Sequence, residues 1–137
     1  MNIALIAHDN KKKLMENLCI AYRHILQKHN LYATETTGRL IHEASDLQIH
    51  SFLAGHLGGV EQIGSQIAYN KVDLIIFLRD ALYQWSHNAD DGLIFKLADT
   101  HNIPIASNLA TAEALILALD RGDLDWREIV RESEGRS

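Results

Sequence analysis

Apolar residues along the chain form short continuous runs that alternate with longer stretches of helical spacing. The short runs predict buried strands at residues 2–8, 31–35, 47–52, 72–78 and 103–107. A spacing of three to four residues predicts helices over about 9–29, after Thr36 or Thr37, from the segment LGG at 57–59, over 91–101 and over 111–122. Because the strands are apolar throughout, they are typical of a parallel sheet covered by helices on both faces. The predicted fold class is α/β, with a five-stranded parallel sheet in three layers.

The C-terminal segment and the composition fit a single domain over residues 1–137. Residues 123–130 predict one or two helical turns, and 131–137 a frayed tail. The chain is 47% hydrophobic and 23% charged, which suffices for a sizeable core. Its net charge of −5 gives no electrostatic basis for binding nucleic acid or an anionic membrane surface, and no apolar run is long enough to span a membrane. We expect a cytoplasmic protein, because the N-terminus lacks the features of a signal peptide.

The segments that follow the five predicted strands hold most of the residues capable of chemistry. In a parallel sheet, ligands bind at the carboxyl ends of the strands. The segments at those ends contain glycine, hydroxyl or titratable residues and span 7–12, 33–38, 54–62, 79–91 and 107–111. Three of them lead directly into a helix, where free N–H groups and the positive end of the helix dipole attract anions. The sequence therefore predicts a binding site at this edge.

The segment YATETTG, residues 32–38, has the residue types of a phosphate-binding loop. Hydroxyl and backbone N–H donors come from Thr34, Thr36, Thr37 and Gly38. Lys12 could reach the same anion, and Gly55, Gly58 and Gly59 permit close approach of the backbone. Glu35, in the middle of the loop, has the wrong sign for an anion site. The ordinary alternative is that the threonines cap a helix and the glycines form turns. Together, at strand ends, they favour a small phosphorylated ligand or inorganic phosphate.

Five titratable side chains near the same edge are candidates for proton transfer. They are His8, Asp9, Asp80, His87 and Asp90. Taken singly, each has an ordinary alternative as a strand-end residue, a turn former or a helix cap. No metal is expected, because no two candidate ligands have the i, i+4 spacing of a helical site and there is no Cys/His cluster. The single cysteine, Cys19, excludes an internal disulfide and is expected to be an inert core residue.

Together these segments resemble the methylglyoxal synthase family. The resemblance rests on IALIAHD with Lys12, LYATxTTG, GxLGGxxQIG, DLIIFLRD, HxxD and IPxAxNxxTAE, in order and over nearly the whole chain. It implies conversion of dihydroxyacetone phosphate to methylglyoxal and inorganic phosphate. A carboxylate removes a proton from the carbon that bears the hydroxyl, giving an enediol, and phosphate then leaves by β-elimination. The resemblance also implies that no metal or organic cofactor is needed, and that the protein is a homohexamer.

The resemblance assigns substrate-binding roles to six residues. His8 and Lys12 are implied to contact the substrate phosphate or another substrate oxygen. The phosphate loop is implied to comprise Thr34, Thr36 and Thr37, and Gly55 is implied to add a backbone contact to the phosphate. These are the same residues that the strand-end pattern brings to one edge.

The resemblance also assigns catalytic roles. His87 is implied to polarise the substrate oxygens and to shuttle protons. The supporting acids that orient it are implied to be Asp9, Asp80 and Asp90. The family places its catalytic aspartate directly after the double glycine, and that position is Val60 in this chain.

Several residues depart from the family pattern at the centre of the implied site. Valine at position 60 cannot accept a proton. Glu35 replaces a glycine, and a like charge within about 4–6 Å opposes phosphate binding unless it is turned away or paired, with His56 or Arg39 as possible partners. Smaller departures lie in the segments Ala54–Gly55–His56 and 81–87.

Two classes of function follow from these departures. One is a methylglyoxal synthase whose activity is weak or lost, unless Glu61 or Asp90 replaces the missing base. The alternative is a non-catalytic homo-oligomer that binds a small ligand or has a regulatory role, as related domains do when they regulate carbamoyl phosphate synthetase. Two changes at the centre of one site favour weakening or loss of the parent activity.

Overall fold

A computed structural model of the chain describes residues 1–52, 58–82 and 89–135. In this part of the chain, five parallel strands form one sheet in the order β3-β2-β1-β4-β5. The strands are β1 (Asn2–Ala7), β2 (Asn30–Thr34), β3 (Ile49–Phe52), β4 (Leu74–Leu78) and β5 (Ile105–Ala106). All five lie within the predicted strands or one residue outside them. The predicted α/β class and the five-stranded parallel sheet are confirmed.

Helices cover both faces of this sheet. After a 3-10 turn at Asp9–Lys11 come α1 (Lys12–Ala21), α2 (Arg23–Leu26), α3 (Glu35–Ser45), α4 (Gly59–Ala68), α5 (Ala89–His101), α6 (Leu109–Asp120) and α7 (Trp126–Gly135). Alternate residues of each strand face opposite layers, so Leu5 packs with α1, α3 and α6, whereas Ile6 packs with α4 and α5. Both faces of the central strands are therefore buried beneath helices, which explains why these strands are apolar at every position.

The helix predicted over residues 9–29 is divided in the structure. Tyr22 has φ −110° and ψ 22°, outside the helical region, and it separates α1 from α2. Directly after this break, the Arg23 Nε donates a hydrogen bond of 2.7 Å to the carbonyl oxygen of Ser45 at the end of α3. The break thus lets a side chain satisfy a carbonyl that the end of α3 leaves open. Apolar spacing continues across Tyr22, which is why the sequence predicts one helix.

The C-terminal helix is longer than predicted. Helix α7 continues to Gly135, whereas the sequence predicts fraying from residue 131. Arg127, which is 0% exposed, holds it against the body of the protein. Its Nη2 donates to Asn70 Oδ1 at 2.6 Å and to the Val72 carbonyl at 3.0 Å. Arg131 adds a hydrogen bond of 2.6 Å to the buried Asp73 carboxylate. These contacts lie at the amino end of β4, opposite the edge that carries the candidate site.

Candidate functional site

The carboxyl ends of β1, β2 and β4 bring His8, Thr34 and Asp80 to one edge of the sheet. Ala7 pairs with Leu78 in the sheet, so the segments that follow β1 and β4 begin side by side. His8 is the first residue after β1, and its N–H donates to the Leu78 carbonyl at 3.1 Å. Thr34 is the last residue of β2, the neighbour of β1 on the other side. The parallel register thus collects residues that are distant in sequence.

His8 uses both nitrogens of its ring. Nδ1 accepts a hydrogen bond of 2.8 Å from the backbone N–H of Asp80. Nε2 lies 2.7 Å from Asp91 Oδ2. The ring also meets Phe77 edge to face, with 5.4 Å between the ring centroids. His8 therefore has a defined orientation, set by the ends of β1 and β4 and by the first turn of α5.

Asp80 forms the turn that follows β4. Its Oδ1 accepts from the backbone N–H of Leu82 at 2.9 Å, and its Oδ2 accepts from Asn10 Nδ2 at 2.9 Å. The Leu82 N–H, with smaller contributions from Asn10 and nearby positive charge, lowers the pKa of the Asp80 carboxyl below its usual value. The contacts of Asp80 with Leu82 and Asn10 thus favour its ionised form, which accepts both hydrogen bonds.

Lys12 begins α1 and points back to the end of β1. Its Nζ donates to the Ala7 carbonyl and to Thr37 Oγ1, each at 3.0 Å. Asp9 Oδ1 lies 3.6 Å from the same ammonium, but the Asp9 side chain is fully exposed, so this pair contributes little. Lys12 therefore connects the segment after β1 with the first turn of α3. These are the two segments from which the sequence predicts a phosphate site.

The start of α3 lies two to three residues before the predicted one. Thr34, not Thr36 or Thr37, is the N-cap residue, and its side chain makes no capping hydrogen bond. Its hydroxyl instead lies 3.5 Å from that of Thr37, and both residues are buried. Thr36 is half-buried beside them in the first turn. Three threonines and a lysine thus surround a helix N-terminus, a common environment for bound phosphate.

Gly38 and Glu35 have roles in α3 that do not require a ligand. A Cβ atom on Gly38 would lie 2.7 Å from Ser51 Oγ, so glycine is needed for close packing of α3 on β3. Glu35 is exposed at the first residue of α3, where a carboxylate interacts favourably with the helix dipole. Arg39, considered above as its partner, is paired with Glu43 at 3.8 Å. Both residues therefore also serve the helix itself.

Val60 lies in the first turn of α4 and is half-buried. It packs against the apolar core between α4 and the sheet, together with Ile63 and Ile67 of the same helix. The next residue, Glu61, is exposed. A step of one residue turns a helix by about 100°, so Glu61 faces a different direction from Val60. Val60 therefore packs as a core residue, and Glu61 does not share its direction.

Some predicted site residues lie outside the described part of the chain. Gly55, His56 and His87 are among them, as is the side chain of Asp90, although its backbone belongs to the first turn of α5. Within the described residues, no group of three His, Cys, Asp or Glu side chains is placed to hold a metal ion. Burial raises the pKa of the Cys19 thiol to about 12, consistent with an inert core cysteine.

Asp91 is the residue at this edge that sequence reasoning missed. It is 2% exposed and contacts His8, although 83 residues separate the two in the chain. The sequence gives a weak signal, since a second aspartate directly after Asp90 starts a predicted helix. Nothing local distinguishes the buried aspartate of this pair from an exposed helix cap, because the contact depends on how α5 packs against β1.

Comparison with known proteins shows the family to which the chain belongs. The profile of the MGS-like domain matches residues 16–107. The chain belongs to the MGS-like domain family. A methylglyoxal synthase of Caldicellulosiruptor saccharolyticus is 64% identical over 130 residues, covering 95% of this chain and 92% of that protein. A methylglyoxal synthase of Alkaliphilus metalliredigens is 57% identical over 132 residues, covering 96% of this chain and 98% of that protein.

A solved structure shows that the similarity to methylglyoxal synthases includes the fold. The crystal structure of methylglyoxal synthase from Elizabethkingia anophelis superposes with a TM-score of 0.75 at 36% sequence identity, covering 84% of this chain and 76% of that one. The methylglyoxal synthase family predicted from the motifs is thus confirmed. Family membership supports binding of a phosphate ester. Among the residues that the structure describes, no helix combines the length and apolar character needed to cross a membrane.

Proposed function

We propose that this protein catalyses the methylglyoxal synthase reaction, the elimination of phosphate from dihydroxyacetone phosphate to give methylglyoxal. A base takes a proton from the carbon that bears the hydroxyl, and the electron pair forms the enediol. The carbon–oxygen bond to phosphate then breaks, and the resulting enol tautomerises to methylglyoxal. The high identity to proteins named methylglyoxal synthase supports this reaction over a purely regulatory role.

The contact of Lys12 with Thr37 is the observation that carries the proposal. One cation and a buried hydroxyl meet 3.0 Å apart at the start of α3, where backbone N–H groups and the helix dipole also favour negative charge. A bound phosphate would replace or share the hydrogen bonds that Lys12 now makes with protein oxygens. Thr34 and Thr36 provide further donors beside it, and Gly55 is proposed to add a backbone contact. Such a site stabilises the phosphate as it leaves with its charge.

The catalytic groups are proposed by their resemblance to the family. We assign proton transfer and polarisation of the substrate oxygens to His87, with Asp9, Asp80 and Asp90 as supporting acids. His8, held at the adjacent strand end, is proposed to contact a substrate oxygen. Val60 cannot act as the base, so turnover is proposed to be slow, with Asp90 as the proposed substitute because Glu61 is exposed and turned away from the direction of Val60.

Removal of the Lys12 charge tests the phosphate site. We expect Lys12→Met to weaken binding of both inorganic phosphate and dihydroxyacetone phosphate at least about tenfold, as loss of one charge-assisted hydrogen bond implies. Lys13→Met is the matched control, because Lys13 is the next residue, carries the same charge and is exposed. Isothermal titration calorimetry measures both variants. Equal affinities for wild type and Lys12→Met would show that phosphate binds elsewhere or not at all.

A homohexamer is proposed as the assembled form, as the resemblance implies. In support, several large apolar side chains are exposed in the single chain, including Ile129 at 70% and Ile20 at 49%. Subunit contacts could cover such residues. Light scattering at micromolar concentration measures the mass directly. A mass of one chain, 15.4 kDa, would contradict the hexamer.

We also propose that the protein acts in the cytoplasm. A doubly charged phosphate ester does not cross a bilayer unaided, because moving its charge into an apolar medium is very costly, so an enzyme that consumes one acts in the compartment that contains it. The unpaired, buried Cys19 fits a reducing compartment. Cell fractionation with an antibody against the chain tests this location, and recovery from an extracellular or periplasmic fraction alone would contradict it.

A further inference from the structure

A buried carboxylate at the start of α5 has no part in the mechanism proposed above. Asp91 is 2% exposed, and its Oδ2 lies 2.7 Å from His8 Nε2. The resemblance assigns a role to the preceding residue, Asp90, and none to Asp91. A buried charge is costly unless it is paired and hydrogen-bonded. The partner of this one is a residue of the candidate site.

The two contacts of the His8 ring together specify one arrangement of its proton. The backbone N–H of Asp80 can only donate, so Nδ1, at 2.8 Å from it, must accept and carries no proton. In the neutral ring the proton is then on Nε2, where it donates to the Asp91 carboxylate. A ring protonated at Nδ1 would place two N–H groups against each other and leave the carboxylate without that hydrogen bond.

We propose that Asp91 is a positioning residue that holds the His8 ring in one orientation, by accepting the Nε2 proton of the tautomer that the Asp80 N–H specifies. The carboxylate acts from the first turn of α5, so it also fixes the end of β1 relative to that helix. The consequence for turnover rests on the proposed function, in which His8 contacts a substrate oxygen. The tautomer itself does not depend on it.

The first test reads the tautomer directly. In two-bond proton–nitrogen NMR spectra of protein labelled with 15N-histidine, we expect wild-type His8 to show a protonated Nε2 and an unprotonated Nδ1. Asp91→Asn keeps the shape and an acceptor oxygen but removes the charge, so the tautomer should persist with a changed Nε2–H resonance. Asp91→Leu removes the acceptor of the Nε2 proton, so the ring should lose its single orientation and the resonances of both ring nitrogens should shift and broaden. A wild-type spectrum with the proton on Nδ1, or a His8 spectrum unaffected by Asp91→Leu, would overturn the inference.

The second test asks whether Asp91 acts through His8. We expect Asp91→Leu to lower kcat/KM about 10-fold to 100-fold, the size of loss known for removal of the carboxylate that orients a metal-bound histidine. In a His8→Leu background, the same substitution should lower kcat/KM no further, because there is no ring left to orient. A further full loss in that background would overturn the positioning role. If wild type shows no turnover, the proposed function fails, while the NMR spectra still decide the tautomer.

Discussion

Restoring an acid at position 60 is the most informative perturbation of the candidate site. Valine now occupies the first turn of α4 and packs with the core on that side of the sheet. Full burial of a valine contributes roughly 1.5–3 kcal/mol, so removal of this half-buried side chain should cost about 1 kcal/mol. A carboxylate in the first turn of a helix recovers about 0.3–1 kcal/mol through the dipole. Val60→Asp should therefore fold with nearly the stability of wild type.

The gain in turnover should be much larger than this change in stability. A positioned general base contributes about 10²-fold to 10⁴-fold, so we expect Val60→Asp to raise kcat by roughly 10²-fold or more, provided that phosphate still binds. The assay is release of methylglyoxal from dihydroxyacetone phosphate. Val60→Asn is the matched control, because asparagine has the shape and polarity of aspartate but is no base. A similar gain in Val60→Asn would refute the assignment of the base to position 60.

The negative charge of Glu35 could hide the gain in turnover of Val60→Asp by weakening phosphate binding, so a second variant removes that charge. If Glu35 opposes phosphate, Val60→Asp alone will do little, and the double variant Val60→Asp with Glu35→Gly should succeed where neither single change does. Such non-additivity is expected of two residues that serve one bound substrate. Absence of turnover in the double variant would contradict a dihydroxyacetone phosphate site. Wild-type activity of an ordinary enzyme, on the order of 10 s⁻¹, would show that another acid already removes the proton.

Three further predictions concern stability, each measured by equilibrium unfolding. Arg127→Met should lower the free energy of unfolding by about 3 kcal/mol, because it breaks a buried polar network. The exposed control Arg121→Met should lower it by less than about 1 kcal/mol. Equal losses would contradict the role of Arg127 in anchoring α7. Gly38→Ala should destabilise the protein by about 1 kcal/mol, and Ser51→Ala should restore the lost stability. Gly64→Ala should stabilise it, because the new Cβ would lie 3.8 Å from the nearest atom, Ile94 Cδ1. An unchanged stability of Gly38→Ala would refute the close approach of α3 to Ser51. Because burial raises the folded pKa of Cys19 from 9.0 to about 12, its contribution is complete below pH 9.0 and declines as pH rises towards 12. Wild type should therefore lose about 1.4 kcal/mol relative to Cys19→Ala between about pH 8 and about pH 10, and parallel pH profiles would contradict it.

The sequence predicts the sheet well because both faces of its central strands are buried. Buried strands such as β4 have no polar positions, and the residues that follow them turn at the same edge. The break at Tyr22 was not predictable, since apolar spacing runs through it and its benefit, the contact of Arg23 with Ser45, is tertiary. The helical tail was also missed, because Arg127 and Arg131 look like surface residues until the carboxylate of Asp73 is seen beneath them.

The candidate site was predictable as far as parallel strand order dictates it. Motif and topology together place His8, Lys12 and Thr37 at one edge, and in the structure Lys12 Nζ lies 3.0 Å from Thr37 Oγ1. The role of Asp91 was not predictable, because it depends on the packing of α5 against β1 rather than on local spacing. Val60 shows the converse: its apolar character in the sequence already indicates that the position belongs to the core, and its packing agrees.

The most direct measurement is the rate at which purified wild-type protein converts dihydroxyacetone phosphate to methylglyoxal and phosphate. We expect both products in equal amounts, above the rate in buffer, at about 0.1 s⁻¹ or less, two orders of magnitude below an ordinary enzyme. Lys12→Met should reduce this rate at least about tenfold, and Lys13→Met should leave it unchanged. No product above the buffer rate, or the same rate in wild type and Lys12→Met, would contradict the proposal that this edge of the sheet is a methylglyoxal synthase site.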